Sequence, residues 1–360
     1  MTTVSPWRLV QAAGLLLASS AAFGQSAVTL YGIVDAGVTR VSNVAGRSQV
    51  LVDTGVMQAS RLGYRGREDL GGGRAAIFTL EQGFVLDTGV LGQGGLVFGR
   101  QAWVGLQDDR LGTVTLGRQY DFMFDSLVAH INSTHDGGGY ANNPLDNDRM
   151  SGQRVNNAVK YMTPTVGGFA AGAMFAPSEA SGSVRGAGYS RSFGLSYKRG
   201  TWSVGAAYTY LDAATLEVKP ITGGTASRVV GGVSNRLVGF GATYQPSAQW
   251  ALHAVVNESR FDGTTALASG RFRNYQAGAV YRFSEQWRLA VSGDVTKFDD
   301  NRYRQINLSA DHLFSKRTDG YVQAIFQRAS GASATAAIFL LPNASGPDQN
   351  ALRVGLRHRF

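Results

Sequence analysis

Five aspartates sit close together in the first half of the chain, at Asp121, Asp125, Asp136, Asp146 and Asp148, with Arg118 and Arg154 at either end of the run. Carboxylates and guanidiniums at such density can bind ions, hold a metal or line a polar passage. A calcium reading of Asp146-Asn147-Asp148 fails, because Ser151 stands where a calcium-binding loop needs glycine and no glutamate closes the site. Bond-breaking chemistry lacks its parts. The histidines are His130, His135, His253, His312 and His358. There is no Gly-x-Ser-x-Gly elbow, no His-Glu-x-x-His frame and no convincing nucleophile–base pair. With no cysteine in the chain, thiolate metal sites, disulfides and a thiol nucleophile are also excluded. Glu68-Asp69 and Gly71-Gly72-Gly73 read as a turn and not a phosphate cradle, since no helix follows. The sequence therefore predicts no enzyme, no metal and no cofactor.

The aspartates lie on a segment, Phe122–Gln153, that shows neither helical nor strand period and joins two predicted strands, Thr113–Asp121 and Val155–Met162. Loops of this length are usually functional. The reading is that this segment folds into a water-filled β-barrel and narrows it. Asp121 and Asp125 begin the inward run and are the acids expected to face the opening. Asp136, Asp146 and Asp148 either face it too or are solvated loop charges.

The rest of the chain supplies the barrel. Successive side chains of a strand point to opposite faces. In Ala351–Phe360 one set is Leu352, Val354, Leu356, His358 and Phe360, and the other includes Arg353, Arg357 and Arg359. The same division recurs at Trp287–Thr296, Gln305–Phe314, Leu237–Tyr244 and Asn274–Phe283, where the second face is small and polar. A globular β-protein would need a dense apolar face turned inward. Here the apolar face suits lipid and the polar face suits a lumen. Turn signals alternate between short ones (near Asp69–Gly73, Asp108–Gly112, Thr165–Gly168, Arg199–Thr201, Gln245–Gln249, Ser284–Gln286 and Ser315–Asp319) and longer segments, the first at Arg40–Ala59 and the last at Gly331–Asp348. Seven turns and eight loops join sixteen antiparallel strands. Tyr244, Trp250, Phe283, Trp287 and Phe314 flank the short turns as an interfacial girdle. For Arg353, Arg357 and Arg359 a salt link to strand ends is favoured over collection of anions.

Residues 1–24 carry one charge, Arg8, then an apolar run from Leu9 to Ala22 and a small-residue end at Gly24. This is the layout of a signal peptide, too short to span a membrane, and it makes 25–360 the mature barrel domain. The formal charge of +9 falls to 9 − 1 = +8 without Arg8. In an exported chain that balance means attraction of anions, with no role for nucleic acid.

Several stretches together resemble the general porins of Gram-negative bacteria, most closely the β-proteobacterial (Burkholderia, Bordetella and Neisseria-like) type. They are Ser26–Gly37, Ser60–Phe84, Phe98–Leu106, Leu111–Asp121, Asn156–Pro164 and Gly355–Phe360. The resemblance implies an all-β transmembrane barrel of sixteen strands in the outer membrane, with an inward-folded third loop. It implies a homotrimer that passes small hydrophilic solutes and ions, set among outer-membrane lipid and lipopolysaccharide. The terminal Phe360 would be read by the barrel-assembly machinery. Arg61, Arg118 and Arg154 match three basic wall positions of the family's eyelet. Arg65 shares the face of Arg61 and Lys160 that of Arg154 by the strand period. A ring of such charges favours anions. The Pro-Glu-Phe-Gly motif of enteric third loops is missing, so the facing acids do not follow from the family. A substrate-selective channel for organic acids or phosphate, and a surface barrel acting through its loops, are the competing readings.

Overall fold

A computed structural model of the protein describes residues 27–223, 228–332 and 334–360; the signal-peptide reading of 1–24 lies outside the described residues. Its strands are β1 (Ala27–Val44), β2 (Arg47–Thr54 and Arg61–Gly71), β3 (Arg74–Gly83), β4 (Gln101–Asp108), β5 (Gly112–Tyr120), β6 (Arg154–Met162), β7 (Phe169–Ala176), β8 (Ser190–Arg199), β9 (Trp202–Asp212), β10 (Val229–Tyr244), β11 (Trp250–Gly263), β12 (Gly270–Arg282), β13 (Trp287–Phe298), β14 (Asn301–Leu313), β15 (Thr318–Ser330) and β16 (Asp348–Arg359). Each pairs antiparallel with its chain neighbours, and β1 pairs with β16 from Ile33↔Arg359 to Val41↔Ala351, which closes a sixteen-stranded barrel. The two pieces of β2 count as one strand because both lie along β1, on either side of a break at 55–60. A short strand, Thr215–Glu217, only extends the hairpin leading into β10. Closure leaves no unpaired sheet edge, as hydrocarbon requires.

The seven short turns fall where the sequence places them. The first long loop does not. The stretch read as a loop from Arg40 to Ala59 is mostly hairpin, turning over Ala45 and Gly46 at positive φ, with only 55–60 irregular. Its serine- and asparagine-bearing composition hid a pairing in which Val38 meets Val52 and Arg40 meets Val50.

Lipid-facing positions carry aliphatic and aromatic side chains: Val104, Leu116, Phe240 and Ile306 are each more than half exposed. Lumen-facing positions are small or polar on most strands. On β8–β10 the reason is contact with the third loop. A Cβ on Gly205 would lie 1.9 Å from the Ser126 carbonyl oxygen, and one on Gly194 would lie 2.3 Å from the Phe122 ring. These glycines form the floor of a trough for the loop. There Phe122, Met123, Leu127, Ile131 and Met150 pack with wall residues Met174, Leu237 and Val255 in one buried cluster. Burying each large side chain contributes about 1.5–3 kcal/mol, so the loop has an apolar core of its own inside the barrel.

Candidate pore constriction

The loop from Asp121 to Gln153 begins with a helix, α1 (Phe122–Leu127), whose cap is Asp121, accepting from the Met123 and Phe124 amides at 3.0 and 3.4 Å. Four single 3₁₀ turns then carry the chain along the inner wall. Polar side chains of the strands hold each step. His130 Nδ1 lies 2.8 Å from Thr243 Oγ1 on β10. The Asn132 amide donates to Gln276 on β12 at 3.0 Å, and Gln305 on β14 donates to the Tyr140 carbonyl at 2.8 Å. The Tyr140 hydroxyl reaches Thr39 on β1 at 3.0 Å. On the way back Asn274 donates to Asn147 at 2.7 Å and Asn257 to Asp148 at 3.0 Å. The loop thus lies against β6–β15 and β1 and leaves open the wall that runs from Arg61 on β2 to Arg154 at the start of β6. Burial pushes the His130 imidazole down to about 4, with the nearby His135 adding to the effect. Burial pushes the Asp148 carboxyl up to about 6, and the neighbouring Asp146 raises it further.

The loop's acids do not oppose the basic wall. Asp121 pairs with Arg149 at 2.6 Å, Asp125 with Lys160, and Asp136 with Arg288 at 3.4 Å. Asp146 accepts from Ser151 Oγ at 2.7 Å and Gln153 Nε2 at 2.8 Å. The expectation that Asp121 and Asp125 face the opening is corrected for Asp121, which is buried and consumed in capping α1 and pairing with Arg149; Asp125 is exposed, with its charge matched by the lysine behind it. Lys160 is corrected as well. It is buried, bonded to Asp125 and to the Tyr120 carbonyl, and does not line the opening. Arg65 lies over the Tyr31 ring at 4.9 Å, further toward the short-turn end, and is also off the opening.

The opening itself is a cavity of about 590 Å³. Arg61, Arg100, Arg118 and Arg154 line one side. Phe124, Val128, Ser133, Thr134, Asn142 and Ser151 of the third loop line the other, together with Phe339 and Leu340 from the loop between β15 and β16. Glu81 is the single carboxylate beside the arginines, 2.7 Å from Arg100 and 4.0 Å from Arg61, and it stands behind them. Arg118 and Arg154 bond only neutral groups: Arg118 the Gly99 carbonyl at 2.8 Å, Arg154 the Arg100 carbonyl at 3.1 Å and the Tyr120 hydroxyl at 2.9 Å. Their charge is left for the lumen. Arg118 has the parity of Val114 and Leu116, both lipid-facing, so regular alternation would send it into the bilayer. A bulge between Gly117 and Gln119, with Gly117 at φ +134°, turns it inward. Arg100 was missed in the sequence because it precedes β4 in a glycine-rich stretch. Its signal was Glu81, whose cross-strand partner Gln101 is the next residue.

A closed sixteen-stranded barrel narrowed by its third loop defines a membrane channel. The chain belongs to the Gram-negative porin family, whose model matches residues 12–332. It is similar to outer membrane porin protein 32 of Delftia acidovorans, 29% identical over 97% of this chain and 98% of that one. An outer membrane porin protein of Bordetella pertussis is 33% identical over 235 residues, 59% of this chain and 61% of that one. Among solved structures, an anion-selective porin from Comamonas acidovorans superposes with a TM-score of 0.78 at 26% identity, covering 93% of this chain and all of that one. The protein is an outer-membrane porin, a passive channel and not an enzyme.

Proposed function

We propose that the channel prefers anions and that Arg61, Arg100, Arg118 and Arg154 set the preference. The observation that carries this is the imbalance at the opening: four guanidiniums and no carboxylate among the described lining residues, with Glu81 paired to two of the guanidiniums from behind. Guanidiniums are weakly hydrated and permanently charged, so they exchange contacts with passing anions without trapping them. The anion-selective relative supports the reading. Planar-bilayer recording in a salt gradient tests it. The reversal potential should report anion preference; cation preference would remove the proposal.

The assembly and its surroundings belong to the same reading. A homotrimer is supported by the aliphatic patch on the outer face of β1–β5, where Val38, Val52, Val104 and Leu116 are all more than half exposed. Lipopolysaccharide contact is supported at the opposite side. There Arg273, Lys297 and Arg302 stand directly opposite one another on β12–β14 at the loop end, and Lys297 and Arg302 have no carboxylate partner among the described residues. Like charges so aligned repel and call for phosphates from the leaflet. Phe360, zipped to Gly32 by backbone bonds of 3.0 and 3.1 Å, is the proposed assembly signal. Export through a signal peptide cleaved before Gln25 completes the reading. N-terminal sequencing of the membrane-inserted protein and its mass in mild detergent check the last and first of these.

A further inference from the structure

The two sides of the constriction differ in kind as well as in charge. Opposite the arginines the lining carries no charge and mixes polar loop residues with an apolar patch, part of which comes from a second loop. The segment from Ala334 to Pro347 dips into the barrel and is held there by strand side chains. The Ala337 amide donates to Gln327 Oε1 at 2.6 Å, and the Ile338 amide to Gln349 Oε1 at 3.1 Å. The tip that results places Leu340 in the cavity, 55% exposed, with its side chain against Gly139 of the third loop. Leu340 has φ +67°, a conformation that costs a branched residue free energy. Asparagine or glycine would hold this turn with less strain, and an exposed leucine in a watery lumen gains nothing from burial. Strain and exposure at one residue, over-determined by the anchors beside it, point to use by a solute.

The aromatic side chains join the two linings. The Arg154 guanidinium lies over the Tyr120 ring at 4.7 Å, and Tyr120 stacks on Phe124 at 4.2 Å between centroids. A ladder therefore runs from a cation to an aromatic face within one opening. Inorganic anions and polyhydroxylated acids can use only its charged end. A carboxylate with an apolar body uses both: its oxygens meet Arg154 and Arg118 while its ring or chain covers Phe124 and Leu340.

We infer that the constriction holds a weak, saturable site for monocarboxylates with an aryl or alkyl body, at the meeting of Arg154, Phe124 and Leu340. This rests on the anion-channel reading and narrows its solute class. The site must stay shallow, because conduction requires that a bound solute leave again. Removing even a small apolar area from water favours one solute over another by a readable factor.

The test uses the full mature chain in planar bilayers carrying chloride current, with 3-phenylpropionate, gluconate and uncharged 3-phenylpropanamide as probes. Saturable block by 3-phenylpropionate is expected at a half-blocking concentration ~10-fold below that of gluconate, with little block by the amide. Leu340→Asn, which tolerates the same backbone, should bring the two anions to within about twofold. Phe124→Leu serves as a second variant that keeps bulk on α1 and should reduce the ratio in part. Equal block by both anions in the unaltered channel overturns the inference, and so does discrimination that survives both variants. Absent conductance or cation preference in the chloride gradient would instead remove the reading beneath it.

Discussion

Arg353, Arg357 and Arg359 stand on the closing strand among four carboxylates, while Arg61, Arg100, Arg118 and Arg154 share only Glu81. Arg353 is fully buried and touches Asp35 at 3.4 Å and Asp53, with Tyr321 at 3.0 Å. Arg357 and Arg359 meet Asp319 at 2.9 and 3.0 Å, and Arg357 also reaches Asp311 at 3.7 Å. The same residue type, on the same lumenal face of the same sheet, does two jobs. Where acids from the strands alongside lie within reach, the guanidinium ties strands β1, β15 and β16 together. Where neighbours offer carbonyls, a tyrosine hydroxyl and an asparagine, the charge is solvated by the lumen and acts on solutes. The bonding partners across the sheet decide the role.

The largest effect expected from breaking this contrast is at the seam. Arg353→Ala leaves Asp35 and the Arg353 end of Asp53 as uncompensated carboxylates and should cost about 3–5 kcal/mol. Heat-dependent mobility in detergent gels would show earlier unfolding, and those channels that do insert should keep their ion preference. A shift in preference there would mean that the seam arginines are not neutralised after all. At the constriction the prediction reverses. The double variant Arg118→Gln/Arg154→Gln should keep its stability and lose selectivity. One charge at about 8 Å is worth about 0.5 kcal/mol in water and about half that in ~0.1 M salt, with opposite signs for anions and cations, so two removals should lower the anion-to-cation permeability ratio ~4- to 6-fold. An unchanged reversal potential would place the selective charge elsewhere.

Glu81→Gln sharpens the contrast from the other side. It removes the one carboxylate behind the arginines and should raise anion preference ~2-fold; a fall in preference would show that Glu81 was holding Arg61 and Arg100 in place. The smallest effect is a pH dependence through His130. Its folded-state value of about 4 lies below the ordinary ~6.5. A depressed value means that docking of the loop is favoured above the unfolded value and that this contribution is lost as pH falls through 4. Single-channel closures should grow more frequent between pH 6.5 and 4, and His130→Asn should blunt that change; a flat profile in the unaltered channel would show that the neutral imidazole does not help to hold the loop.

The period-two alternation, the seven turns and the closing strand were legible in the sequence because a barrel repeats one local rule many times. Each strand states which side meets lipid without knowing its neighbour. The long loop was legible too, by its length and lack of period. Which acids face the opening was not legible. Asp121 is spent on the amides of a helix whose existence depends on the apolar trough beneath it, and Asp125 meets a lysine thirty-five residues away only because β6 lies beside the loop's start. Arg118 shows the limit most directly. Its parity alone would send it to the lipid side, a single bulge reverses that, and only the family resemblance points to its place on the wall.

What the chain determined alone was a greasy face, a wet face and a segment with nowhere to go but inward, since burial of apolar surface and pairing of every backbone group follow from composition and order. The tertiary structure alone decided which charges remain free. Ion pairing depends on distances of a few ångströms between residues far apart in sequence, and those distances exist only once the sheet has closed and the loop has docked.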